Sequence, residues 1–269
     1  MIEIVLDCDP GHDDAMAMLL ALGSPELALL GVTTVAGNRT LVKTTANAFR
    51  VLDHVGRSDV PVAAGASRPL VREGVVAPEV HGETGLDGPD LPPPARAPHA
   101  EHAIDWIARV ASERPEPITL VPTGPLTNIA LLLARYPDIN ERIERIVLMG
   151  GAIGEGNVTP AAEFNVWVDP EAAHRVFTSG IDVTMVGLDV THQALMTARH
   201  AEQLARTGRA GTLVADLYEF YSRFHRRSYG WSGAPVHDAV AVAHLIDPTL
   251  LRTRHVGVAI DTGPGISRG

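Results

Sequence analysis

The sequence predicts a single α/β domain on a mostly parallel, doubly wound, Rossmann-like sheet with helices on both faces. Three observations predict it. Short β-branched, apolar runs alternate with stretches of helical periodicity along all 269 residues. The alternation has no break, which favours one domain over two. Polar residues cluster just after the runs, and open parallel sheets bind ligands beyond the carboxyl ends of their strands.

The elements follow in order. Residues 2–6, IEIVL, form a buried strand, and Ala15, Met18, Leu19 and Leu22 then recur at helical spacing until Gly23-Ser24-Pro25. A second strand covers 27–35 and a helix covers about 40–54, with a short strand at 60–65. Residues 66–98 hold seven prolines and Gly74, Gly82, Gly85 and Gly88, and they read as a long loop of the kind kept for function. A helix at 99–112 and a strand at 118–122 follow, and Pro125 is placed near the first turn of the next helix. Strands are expected at 146–151 and 182–188, with a helix after Asp169-Pro170 between them. The remainder to about 246 reads as helical, broken by Pro235, and RHVGVAI (254–260) reads as a last strand.

Composition narrows the function classes. The chain is 45% hydrophobic and 20% charged, as soluble globular proteins are, and a core of this size needs no disulfide staples. Cys8 is the single cysteine, so no internal disulfide forms, which fits a reducing compartment. The start MIEIVLDCDP lacks a basic n-region and a signal-length apolar stretch, and no run approaches the ~18 apolar residues of a membrane helix. A cytoplasmic protein with no membrane partner is expected. A net charge of −10 argues against a nucleic-acid backbone as partner.

The strongest chemical signal is Asp7-Cys8-Asp9-Pro10-Gly11-His12-Asp13-Asp14. Four carboxylates at a strand-to-helix junction raise one another's pKa. A helix N-terminus favours anions at Asp13 and Asp14, and a bound cation favours them more. Helix capping accounts for one or two of these residues, not four. All-oxygen donors select Ca²⁺ or Mg²⁺ over Zn²⁺.

The chain resembles the inosine–uridine-preferring nucleoside hydrolase family. The family's N-terminal DxDPGxDDA pattern stands here as Asp7 through Ala15. His81-Gly82, VPTGPLTNIA (121–130), VLMGGA (147–152), EGN (155–157), AEFNVWVDPEAA (162–173), MVGLDVTHQA (185–194) and VHDA (236–239) resemble family segments in the same order. The resemblance implies hydrolysis of the N-glycosidic bond of ribonucleosides, with a small-molecule nucleoside as substrate. It implies Ca²⁺ held by Asp9, Asp14 and Asp238 side chains and the Thr123 carbonyl, with Asp9 also the general base. Asp13 would bind a ribose hydroxyl, and Asn157, Glu163, Phe164 and Asn165 belong to the implied substrate-binding set. Asn38 and Met149 would line the pocket, and Asp7 would orient the ligands. A homodimer or homotetramer is implied as well.

The chemistry suits that set. Glycosidic cleavage passes through an oxocarbenium-like state that carboxylates stabilise. A metal acidifies water so that a nearby Asp takes its proton. The departing base benefits from a proton donor. His237 beside Asp238 is one candidate and His81 in the long loop another, the alternatives being a packing histidine and an exposed loop histidine. Tyr218, Tyr221, Phe224 and His225 have the spacing of a core stripe, yet the resemblance places the wall around the base here, with His225, Tyr229 and Trp231 as candidates. Thr191-His192 reads as structural capping and Cys8 as a small buried hydrophobe.

Two departures from the family pattern stand out. Ala239 replaces the proline that follows the last metal ligand, and the chain stops at Gly269, so the C-terminal part of the family domain is expected to be missing from the single domain 1–269. Two other classes remain open from the residues alone. A Mg²⁺ phosphohydrolase would use Asp7-Cys8-Asp9, but it needs a downstream lysine where the chain has only Lys43. A non-catalytic nucleoside- or sugar-binding protein would keep the pocket without turnover.

Overall fold

The central strand is β1 (Ile2–Cys8), followed by α1 (His12–Gly23), β2 (Leu27–Thr34), α2 (Leu41–His54) and β3 (Val62–Ala64) in a computed structural model that describes all residues, Met1–Gly269. Then come α3 (Pro78–His81), α4 (Ala103–Glu113), β4 (Ile118–Pro122), α5 (Thr127–Arg135), a 3₁₀ turn at Pro137–Arg142 and β5 (Ile143–Met149). The third stretch holds α6 (Phe164–Val168), α7 (Pro170–Phe177), β6 (Asp182–Val186), α8 (Leu188–Thr191) and β7 (Leu195–Thr197). The chain continues through α9 (Ala198–Leu204), α10 (Arg209–Tyr229), β8 (Gly233–Pro235) and α11 (His237–Ile246).

Six strands form one parallel sheet in the order β3-β2-β1-β4-β5-β6. The order reverses between β1 and β4, which is the crevice where doubly wound sheets bind ligands. Register brings the site together there: Cys8 pairs with Thr34 and Asp7 with Pro122, so the chain leaves β1, β2 and β4 at one level.

Period-two alternation sorts β1 between two cores. Ile4, Leu6 and Cys8 pack on one face against apolar residues of α1, α2, α10 and α11. Val5 packs on the other face against α4, α5 and α7. Burying one such Leu or Ile side chain contributes about 1.5–3 kcal/mol. In β2, Gly31 is required by close approach. A Cβ there would lie 2.4 Å from the Trp106 ring of α4.

The fold class stands, with three corrections to the expected elements. RHVGVAI (254–260) is not a strand: 252–260 has no ladder partner, and Val256 and Val258 are exposed. Apolar, β-branched composition makes no strand without a neighbour for its N–H and C=O groups. Second, the helical remainder is interrupted around Pro235, but the interruption is a strand: Pro235 lies in β8, which pairs antiparallel with β7 in a separate two-stranded ladder. Proline is tolerated there because a two-stranded ladder is all edge. Third, α5 begins at Thr127, so Pro125, expected near the first turn, lies just before the N-cap residue Leu126.

Candidate active site

The site is built from the turns that follow β1, β2 and β4, closed by α6, α10 and α11. Asp13 and Asp14 fall in the first turn of α1, where the helix dipole favours carboxylates. Asp14 Oδ2 accepts the Gly11 N–H at 2.9 Å and the Asn38 amide at 3.2 Å, and its Oδ1 accepts the Thr123 hydroxyl at 2.9 Å. Asp9 is completely buried, and its Oδ2 accepts the Asn38 backbone N–H at 2.5 Å. Two glycines make room for that carboxylate. A Cβ on Gly37 would lie 2.1 Å from Asp9 Oδ2, and one on Gly124 would lie 2.6 Å from Oδ1.

Asp238 enters from the first turn of α11. Carboxylate oxygens of Asp13, Asp14 and Asp238 lie within 4.8 Å of one another. The converging trio thus contains Asp13 where the family resemblance implied Asp9, and Asp9 lies alongside. Asp7 points to the opposite face of β1, where its Oδ1 accepts Thr33 (2.5 Å) and Asn128 (2.7 Å).

Burial governs the electrostatics. Desolvation, opposed by the Thr33 and Asn128 hydrogen bonds, raises Asp7 to about 7. Desolvation and the neighbouring Asp14 raise Asp13 to about 8, and desolvation also lifts Asp9, Asp14 and Asp238. Asp9 Oδ1 and Asp13 Oδ1 are buried without any hydrogen-bond partner. Crowded, desolvated, all-oxygen donors with unpartnered lone pairs fit a hard cation, which reverses the charge balance that opposes ionisation.

The remaining predicted residues converge on one pocket. Asp13, Asn38, His81, Thr123, Met149 and Asn157 line it, with Glu163, Phe164, Asn165, His225, Tyr229, Trp231, His237 and Asp238; Asp9 and Asp14 lie beneath its wall with no exposure. Several have protein partners already. Glu163 caps α6, accepting the Gly151, Asn165 and Val166 N–H groups. The Asn165 amide donates to the Thr123 and Met149 carbonyls at 2.8 and 3.1 Å, and Asn157 Oδ1 accepts the Phe164 N–H.

His81 is not an exposed loop histidine. It ends the short helix α3 and is 5% exposed. Desolvation lowers both His81 and His237 well below the usual histidine range and holds them neutral. The stripe on α10 is divided: Tyr218 packs in the core, Phe224 and His225 face the pocket, and Tyr221 belongs to both. His225, Tyr229 and Trp231 stack on one another, with 13–21° between ring planes.

A sequence model of the inosine-uridine preferring nucleoside hydrolases matches residues 4–269. The chain is 53% identical over 268 residues to the pyrimidine-specific ribonucleoside hydrolase RihA of Shewanella sp. (strain ANA-3), covering 99% of this chain and 84% of that protein. The chain belongs to the inosine-uridine preferring nucleoside hydrolase family. It is 49% identical to RihA of Citrobacter koseri over 270 residues, covering 100% of this chain and 86% of the relative. Among solved structures, the purine-preferring ribonucleoside hydrolase from Gardnerella vaginalis superposes with a TM-score of 0.95 at 37% identity, covering 99% of this chain and 86% of that one. A plant nucleoside hydrolase superposes at 0.94 with 36% identity, covering 99% and 85%. The chain is therefore an enzyme that hydrolyses ribonucleosides, and no helix in it is long and apolar enough to cross a membrane.

Sequence reasoning missed four side chains that the site uses. Tyr221 directs its hydroxyl at Asp13 Oδ2 (3.4 Å), Thr191 contacts His237, His12 contacts His81, and Asn128 holds Asp7. His12 stands inside the acidic motif and Asn128 inside a quoted segment, so both were visible. Their pairing with His81 and Asp7, across 69 and 121 residues, was not.

Proposed function

We propose that this nucleoside hydrolase is calcium-dependent, prefers pyrimidine ribonucleosides, and uses Asp9 as the base that activates water. The observation that carries the metal reading is the convergence of Asp13, Asp14 and Asp238 beside two unpartnered carboxylate oxygens. Asp14, Asp238 and the Thr123 carbonyl would hold the cation with Asp9 or Asp13. Ca²⁺ held there would supply an acidified water and a positive charge for sugar hydroxyls.

The chain's own groups account for the rest. Asn38 holds one oxygen of Asp9 by its N–H, which leaves the other free to take a proton. Asp13, Glu163, Asn157 and Asn165 would surround the ribose, and their negative potential favours the cationic sugar of the transition state. Asn165 also fixes the Thr123 carbonyl. The stacked His225, Tyr229 and Trp231 would form a flat wall for the base. His237 and His81, neutral and facing the pocket, would hydrogen-bond the departing base or the sugar. The pyrimidine preference is supported by the names of the relatives at 49–54% identity. The homodimer or homotetramer implied by family resemblance is part of the same reading, and light scattering tests it.

The experiment is release of free base from uridine, cytidine, inosine and adenosine, with and without EDTA, for wild type and Asp9→Ala. Faster release from uridine and cytidine, lost in EDTA, restored by Ca²⁺ and absent in the variant, is expected. Turnover that survives EDTA and Asp9→Ala refutes the mechanism, and faster turnover of inosine refutes the preference.

A further inference from the structure

His12 and Thr191 each hold one of the two pocket histidines by its Nδ1. His12 is fully buried on the first turn of α1, flanked by the rings of Phe220 (5.2 Å, 4°), Tyr221 (5.4 Å, 8°) and His81 (5.4 Å, 26°). Its Nε2 lies 2.8 Å from the Asp87 carbonyl oxygen. A carbonyl only accepts, so Nε2 carries the single proton of a neutral His12. His12 Nδ1 is then bare, and it lies 3.2 Å from His81 Nδ1. Two bare nitrogens at that distance repel, so the proton between them belongs to His81. The His12 backbone N–H also points at that nitrogen, at 3.3 Å, and the ring-to-ring contact at 3.2 Å is the slightly shorter of the two. With Nδ1 protonated, neutral His81 turns a lone pair at Nε2 towards the pocket it lines, and no protein group bonds that atom.

His237 has the opposite arrangement. Its Nδ1 lies 2.7 Å from the hydroxyl of Thr191, which is fully buried. That hydroxyl has no other hydrogen-bond partner, and a buried O–H needs an acceptor. Donation from Thr191 to His237 Nδ1 satisfies it and puts the imidazole proton on Nε2.

We propose that His12 and Thr191 are positioning residues that set opposite tautomers in the two pocket histidines, so that His81 accepts a hydrogen bond from the bound nucleoside and His237 donates one to the departing base. This divides the two candidate proton donors. His237 presents an N–H, whereas His81 presents an acceptor, suited to a sugar hydroxyl or a base N–H. These roles towards substrate rest on the proposed function, but the tautomers do not.

The test is therefore spectroscopic first. In Ca²⁺-loaded protein labelled with ¹⁵N-histidine, long-range ¹H–¹⁵N correlations identify the protonated nitrogen of each ring, assigned by the signals lost in His81→Gln and His237→Gln. Protonated Nδ1 in His81 and protonated Nε2 in His237 are expected. Nε2–H in His81, or Nδ1–H in His237, overturns the proposal whether or not the protein turns over nucleosides. His12→Asn keeps an acceptor for His81 Nδ1 and should retain its tautomer and kcat/KM on uridine within a few fold. His12→Phe removes the acceptor and should shift the tautomer and lower kcat/KM on the order of tenfold to a hundredfold, as loss of a supporting partner does. An unchanged His81 tautomer in folded His12→Phe overturns the proposal. If that variant does not fold, the wild-type and His12→Asn spectra decide.

Discussion

If the carboxylate cluster holds a cation as proposed, removing it should make the stability of this enzyme fall with pH where most proteins are indifferent. Desolvation by burial raises Asp13 to about 8 and Asp7 to about 7 in the metal-free fold, and the unfolded chain ionises such groups near 3.9. A carboxyl raised on folding contributes stability that is full below its unfolded pKa and lost as pH rises through its folded value. From pH 7 to 8.5 those two groups together lose roughly 1.6 kcal/mol by this linkage. Asp9, Asp14 and Asp238 are shifted in the same direction and add to the loss. Buried histidines have the opposite sign. Burial holds His12 and His225 at about 4, and their contribution is lost as pH falls below 6.5, so they offset little above pH 7. At about 2–4 °C per kcal/mol for a chain of this size, Tm in EDTA should drop by at least roughly 3–6 °C between pH 7 and pH 8.5. Excess Ca²⁺ replaces the missing countercharge, so the loaded protein should show little drop and a larger Ca²⁺-induced shift at the higher pH. Differential scanning calorimetry at both pH values, with EDTA and with Ca²⁺, measures this. A metal-free Tm that holds or rises over that interval, or a calcium shift of equal size at both pH values, refutes the assignment of the carboxylate cluster to the cation.

Three further outcomes follow from particular contacts. Gly37→Ala places a Cβ 2.1 Å from Asp9 Oδ2, so, with Asp9 as the proposed base, it should lower kcat on uridine by about 10²–10⁴-fold, the range of a lost general base, with circular dichroism unchanged. Wild-type turnover in that variant would show that Asp9 need not stay where it is. Asn128→Ala removes three buried partners at once, Asp7 Oδ1, the Thr34 carbonyl and the Ala66 N–H, and should cost about 3 kcal/mol by urea denaturation in Ca²⁺. A loss under 1 kcal/mol would mean that water replaces the amide. Arg72 donates to the Trp167 carbonyl at 2.7 Å and stacks over its ring at 4.4 Å, tying the long loop to α6. Arg72→Ala should weaken this attachment by about 1–2 kcal/mol and speed proteolytic cutting near 69–77 several-fold, and an unchanged cutting rate would refute the tether.

The legible parts of the sequence were those fixed by local pattern. Apolar, β-branched runs marked all six strands of the main sheet, most plainly β1 and β4, whose burial on both faces leaves no polar alternation to confuse them. Polar residues at their carboxyl ends marked where the pocket would be, and an ordered series of motifs marked the carboxylates. What failed was whatever depends on a partner. RHVGVAI has strand composition and nothing to pair with. The β7–β8 ladder joins three-residue segments, too short for any periodicity, that are separated by the two helices α9 and α10. His81 seemed to belong to an irregular proline-rich loop, yet it is buried by its contacts with His12 and Tyr221.

The same dependence explains why the pocket histidines matter more than their number suggests. An enzyme that crowds five aspartates against a strand end needs neutral neighbours. A second set of charges there would compete with the proposed cation for the same lone pairs. Burial supplies that neutrality for His12, His81, His225 and His237. A neutral imidazole offers one donor and one acceptor, and its usefulness turns on which edge faces the substrate. That choice is made outside the pocket, by the Asp87 carbonyl through His12 and by the Thr191 hydroxyl. Substitution at Thr191 or His12 should therefore alter the hydrogen bonds offered to the nucleoside with no change to the cation's ligands. Calcium affinity measured by titration calorimetry should stay within a few fold in Thr191→Val while kcat falls, and a parallel loss of both would place Thr191 in the metal site instead.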